Sequence, residues 1–166
     1  MNTSVNDQVA LDPVLGAEIT QLLVECAAVL DEDRLEEWPE LFVQDASYRV
    51  LSLENEARGL IAPIIYLYSQ GMLKDRVTAL RDALTYEFVY TRHVTSPPRW
   101  SMGADGGIQV RSNFAIYQTT EEGVTRTFAV GQYNDVLTRQ DGSLRFVSRD
   151  VILDTFGVPN AIAVPL

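Results

Sequence analysis

The sequence predicts an α+β fold, with N-terminal helices packed in a strongly curved antiparallel sheet so that the whole forms a cone. Three observations carry this. Apolar residues recur at helical spacing only in the first half of the chain. From Tyr86 onward the apolar residues alternate with period two. The turn pairs Gly106-Gly107, Glu122-Gly123 and Asp141-Gly142 fall where hairpins need them. Helices first and a meander last argue against a parallel α/β sheet. Long strands must cover one apolar face, and wrapping it around the helices does so.

Residues 1–12 read as a loose tail, and 13–166 as a single domain, a size that can bury a core without staples. Asp12-Pro13 is a helix opening, because Asp can cap and Pro suits the first helical position. Leu15, Ile19, Leu22, Leu23, Cys26 and Leu30 then share one face, which predicts a helix over about 13–31. Asp33 and Glu36 have capping-box spacing before Leu35, Trp38, Leu41 and Phe42, and Pro39 limits that helix to a short one. Ser47–Leu53 reads as a strand. The apolar run 59–68 contains Pro63 and has no clear period. Leu73, Val77, Leu80 and Leu84 mark a second helix.

In the second half, Phe88, Tyr90 and Val94 share one strand face, and Ile108, Val110, Phe114 and Ile116 share another. Thr125–Leu137 and Leu144–Leu153 are the last two strands. The segment 156–166, FGVPNAIAVPL, is apolar with two prolines, so it must pack on its own sheet or on a partner.

The net charge is -10, and the 13 basic residues form no run, which excludes a nucleic-acid footprint and disfavours an anionic membrane surface. One cysteine permits no internal disulfide, and the polar start lacks a signal pattern, so the cytoplasm is the expected compartment. His93 is the only histidine. A Rieske cluster needs two Cys and two His, and a mononuclear iron triad needs two His. Neither can be built from this chain alone, and no phosphate loop, dinucleotide fingerprint or nucleophile elbow is present.

Several residues admit two readings. His93 can be a general base or a structural histidine on a sheet face. Asp150 can be an inward general base or an outward charge on a solvated or interface face. Asp75 and Arg76 on the second helix read as solvated charges or an intersubunit ion pair. Cys26 reads as a small buried hydrophobe.

The stretch LDEDRLEEWPELFVQDASYRV, from Leu30 to Val50, resembles the entry motif of aromatic-ring-hydroxylating dioxygenase beta subunits. GLIAPIIYLYSQGMLKDRVTALRDAL, from Gly59 to Leu84, resembles the segment before the long strands in that family, with Met72-Leu73 and Asp75-Arg76-Val77 its most recognisable positions. Arg92-His93-Val94, Val110 to Phe114 and Arg149 to Asp154 are further matches. The order and spacing of these short motifs carry the resemblance from about residue 14 onward. It implies an NTF2-like cone and a larger alpha subunit that holds the Rieske 2Fe-2S cluster and the mononuclear non-haem iron. It also implies an α3β3 hexamer with beta-beta contacts in a trimer, and no catalytic residue, iron ligand or cofactor in this chain. The types acting on aromatic acids (terephthalate, anthranilate, salicylate, benzoate) are the most similar, terephthalate nearest. Under the resemblance Asp75, Arg76, Arg92, His93, Arg149, Asp150, Phe156 and Leu166 become candidate structural or subunit-interface residues.

Two other readings remain open on residue types alone. One is a stand-alone cone-fold isomerase, dehydratase or cyclase using His93, Asp150, Tyr48, Tyr90 or Tyr117. The other is a small-molecule binding module. A structural subunit predicts an interior filled by side chains, whereas an enzyme or binder needs an open pocket.

Overall fold

The computed structural model describes residues 12–54, 63–82, 89–154 and 164–166. Helix α1 spans Pro13–Asp31, and the Asp12 side chain accepts hydrogen bonds from the backbone N–H groups of Val14 and Leu15. Its apolar stripe (Ile19, Leu22, Leu23, Cys26, Val29 and Leu30) is buried. By length and hydropathy α1 could cross a membrane, but this stripe is committed to the core of the fold.

The chain then makes a 3-10 helix over Leu35–Leu41 with Pro39 inside it. The expected Asp33/Glu36 capping box does not form. Asp33 has φ 57°, Arg34 occupies the cap position without a side-chain cap bond, and Arg81 binds the carboxylates of both Asp33 and Glu36. Helix α2 runs over Gln70–Asp82 and buries Leu73 and Val77.

Seven strands follow the order β2-β1-β7-β6-β5-β3, with β4 also on β5. They are β1 (Phe42–Ser52), β2 (Ile65–Leu67), β3 (Tyr90–Thr95), β4 (Arg99–Met102), β5 (Ile108–Thr119), β6 (Thr125–Gln140) and β7 (Ser143–Leu153). The three hairpin turns have Gly106, Gly123 and Gly142 at φ near +80°. At the last, Asp141 and Gly142 both have positive φ between the paired Gln140 and Ser143, the two-residue turn that matches strand twist.

The strongly curved antiparallel cone is corrected by the strand pairing. Strand β1 lies parallel to β7, from Ser47↔Ser148 to Ser52↔Leu153, so the sheet is mixed. It is also open: β2 ends one side, β3 and β4 the other, and it is neither strongly curled nor closed. The physical reason is that turn residues report only the pairing of neighbours in sequence. The β1–β7 ladder joins residues about a hundred positions apart and leaves no local signal.

The core lies between the helices and the inner face of the sheet. Trp38 meets Phe42 and Tyr48 edge-on at 5.4 and 5.2 Å between centroids, and Phe42 packs on Phe146 at 5.0 Å. Fully burying side chains of this kind contributes about 1.5–3 kcal/mol each. Val164 and Leu166 pack into the same cluster. Phe156 and most of the expected apolar tail lie outside the described residues, as do residues 1–11 and 59–62.

Candidate functional site

Period-two alternation decides which side chains of β6 and β7 face inward. On β6 these are Tyr133, Asp135 and Leu137, and on β7 Arg149 and Val151, all buried. Asp135 and Arg149 are direct cross-strand partners. Arg149 Nε and Nη2 donate to the two carboxylate oxygens of Asp135, each at 2.9 Å. Nη1 points across to Cys26 Sγ on α1 at 3.1 Å. The guanidinium also sits 4.3 Å from the Tyr133 ring centre and 4.4 Å from that of Phe146. Burial is the largest single influence and works against its charge, but Asp135, Cys26 and Tyr133 together outweigh it and hold Arg149 above its ordinary value. Burial pushes the Cys26 thiol up, and the Tyr48 phenol up to about 12.

A second buried polar pair closes the junction of α1 with β3. Asp31, the last residue of α1, accepts from the backbone N–H of His93 at 2.9 Å and lies 2.6 Å from His93 Nδ1. The His93 side chain is 2% exposed. Its Nε2 and the Ser112 hydroxyl are buried with no protein hydrogen-bond partner. Both residues line a cavity of about 10 Å³ shared with Leu23, Leu30, Tyr133 and Arg149. That is room for one water at most. Pockets that bind organic ligands measure roughly 300–1,000 Å³. An Asp-His pair could in principle move a proton, but here no substrate-sized molecule can reach Nε2.

The other sequence candidates are spread over the fold. Asp75 is exposed on α2, and Arg76 beside it is half-buried, with burial lowering its pKa. Arg92 is exposed on β3 and donates weakly to the Asp31 and Thr91 carbonyls at 3.4 and 3.3 Å. Asp150 faces outward and is held by Arg49 on β1, whose Nε donates to it at 2.7 Å. Leu166 is buried in its own chain, its N–H donating to the Tyr48 hydroxyl at 2.9 Å. The structure therefore unites Arg149 and His93 around one cavity and leaves Asp75, Arg76, Arg92, Asp150 and Leu166 apart from it. Phe156 lies outside the described residues. Sequence reasoning missed Asp135, Asp31 and Ser112. The inward register of Asp135 on β6 and Arg149 on β7 was the available signal, since an acid and a base at facing core positions of one hairpin must pair.

Among the described residues, no group of three or more His, Cys, Asp or Glu is placed to hold a metal ion. With a single histidine in the chain, neither a Rieske centre nor a two-histidine iron site fits these residues.

Among the described residues, buried charges pair with one another around a cavity of about 10 Å³, the arrangement of a packed subunit of α+β class. Comparison with known proteins makes this specific: residues 25–160 match the family described as ring hydroxylating beta subunit. The chain belongs to that family, as the non-catalytic beta subunit of a multicomponent ring-hydroxylating dioxygenase that partners with an alpha subunit. It is 39% identical over 137 residues to the anthranilate 1,2-dioxygenase small subunit of Burkholderia cepacia, covering 82% of this chain and 85% of that one. It is 36% identical over 140 residues to the terephthalate 1,2-dioxygenase terminal oxygenase subunit beta 1 of Comamonas, covering 84% and 91%. A crystal structure described as the beta subunit of an aromatic-ring-hydroxylating dioxygenase from Novosphingobium aromaticivorans superposes with TM-score 0.84 at 34% identity, covering 93% and 98%.

Proposed function

We propose that this chain braces an oxygenase acting on an aromatic acid, in an α3β3 assembly with beta-beta contacts, in the cytoplasm. The observation that carries the bracing role is that, among the described residues, the cavity beside His93 and Arg149 measures only about 10 Å³. The similarity to anthranilate and terephthalate dioxygenase subunits supports a carboxylated aromatic substrate. The Rieske cluster and the mononuclear iron that such chemistry needs would reside in the alpha subunit, because this chain lacks the ligands. A rigid beta subunit contributes by fixing the geometry of its partner, and a positioning error of about 1 Å can cost roughly a hundredfold in rate.

The test is co-expression with the cognate alpha subunit, light-scattering mass of the purified complex, and hydroxylation of anthranilate, terephthalate and benzoate. Three copies of each chain and turnover of at least one of these acids are expected. A complex of another composition overturns the stoichiometry, and turnover confined to uncharged aromatics overturns the substrate class.

A further inference from the structure

What a small internal cavity contains depends on its lining. One lined only by apolar side chains stays dry, whereas one that offers about two to four polar partners takes up water. The cavity between α1 and the sheet is of the second kind. Leu23 and Leu30 of α1 form its apolar side, and His93 on β3, Ser112 on β5 and Arg149 on β7 face it from the sheet.

Each of these three has hydrogen-bonding capacity left over. Asp31 fixes the His93 ring, because its carboxylate accepts from the His93 backbone N–H and also lies 2.6 Å from Nδ1. A carboxylate only accepts, so Nδ1 carries a hydrogen toward Asp31 and Nε2 is left to the cavity. Nε2 accepts in the neutral ring and donates in the imidazolium, and water can answer either. Ser112 is 4% exposed, and its hydroxyl is the second buried polar atom at the cavity without a protein partner. Arg149 directs three N–H bonds to Asp135 and Cys26. A guanidinium has about two more to give. The volume of about 10 Å³ reaches the threshold for a single water and no larger ligand.

We propose that this cavity is a binding site for one ordered water molecule, held by His93 Nε2, the Ser112 hydroxyl and an N–H of Arg149. The water completes a chain of hydrogen bonds from Asp31 at the end of α1, through His93, to Ser112 and Arg149. It thereby ties the helix to three strands that make few polar contacts with it directly. The site lies inside this chain and does not depend on the alpha subunit or on the substrate.

The test has two readouts on the full chain. A crystal structure that resolves ordered waters should show one spherical peak in the cavity, within about 3.2 Å of Nε2, of Ser112 Oγ and of an Arg149 nitrogen. Thermal melts of Ser112→Ala supply the second, because the sign of the change distinguishes a wet cavity from a dry one. If the hydroxyl binds water, its removal forfeits a hydrogen bond and should lower Tm by roughly 1–6 °C. If the hydroxyl is unpaired in a dry cavity, its removal leaves Tm unchanged or raises it. A cavity without a density peak would overturn the proposal, as would a peak too large or elongated for one water. An Ser112→Ala chain that melts at or above wild type would overturn it as well.

Discussion

Replacing Asp135 with alanine isolates the buried ion pair that joins β6 to β7. Arg149 is 3% exposed and Asp135 2%, and two charge-assisted hydrogen bonds of 2.9 Å join them. Without the carboxylate, the guanidinium keeps its contacts with Tyr133, Phe146 and Cys26 but loses its carboxylate partner. Breaking a buried pair in this way costs about 3–5 kcal/mol. For a chain of this size each kcal/mol moves Tm by roughly 2–4 °C, so Asp135→Ala should lower Tm by roughly 6–20 °C. The pair as a whole contributes far less than the single variant suggests, because both ions were desolvated to form it. The double variant Asp135→Leu with Arg149→Met should therefore recover at least about half of the loss. Urea unfolding followed by circular dichroism measures both. A loss below about 1 kcal/mol for Asp135→Ala, or a double variant as unstable as the single, would refute the reasoning.

Three further outcomes follow from particular contacts. In Gly131→Ala the new Cβ would lie 2.0 Å from the Ile152 carbonyl oxygen, so the β6–β7 ladder must shift, and thermal melts should show a loss of about 2 kcal/mol or more. Tyr48→Phe leaves the buried Leu166 N–H without its acceptor and should cost about 1–3 kcal/mol in urea unfolding. The Arg81 guanidinium holds the Glu36 carboxyl at about 2, below its ordinary 4.5. Between these values the unfolded chain binds more protons, so the contribution is complete above about 4.5 and is lost as pH falls through about 2. Arg81→Ala should flatten that acid limb of the stability profile, as read from melts across pH.

The parts of the fold set by local chemistry were legible from the residues. The Asp12-Pro13 start, the buried stripe of α1, the inward Ile108, Val110, Phe114 and Ile116 of β5, and the glycine turns depend on neighbours a few positions away. The Leu35–Leu41 segment was legible only in part: its position was predicted, but the Asp33 carboxylate turns away from capping to bind Arg81 on α2. The parallel β1–β7 ladder was not legible, because it joins residues about a hundred positions apart and leaves no local pattern. The same distance hid the site. Period two puts Arg149 and Asp150 on opposite faces, but their partners, Asp135 for the first and Arg49 for the second, lie on other strands and were not named. His93 was singled out as the lone histidine, yet its partner Asp31 lies 62 positions earlier at the end of a helix.

The central claim, that this chain lends shape and no reacting group, is tested most directly at His93. Of the side chains lining the interior cavity, it has the chemistry most suited to general base work and an unpartnered Nε2 facing the space. The measurement is kcat for ring hydroxylation by the assembled complex carrying His93→Gln, after iron content and subunit mass have been matched to wild type. A structural histidine predicts kcat within about twofold of wild type once the complex is assembled. A general base contributes about a hundredfold to ten-thousandfold, and a loss of that size in an intact, iron-loaded complex would contradict the account.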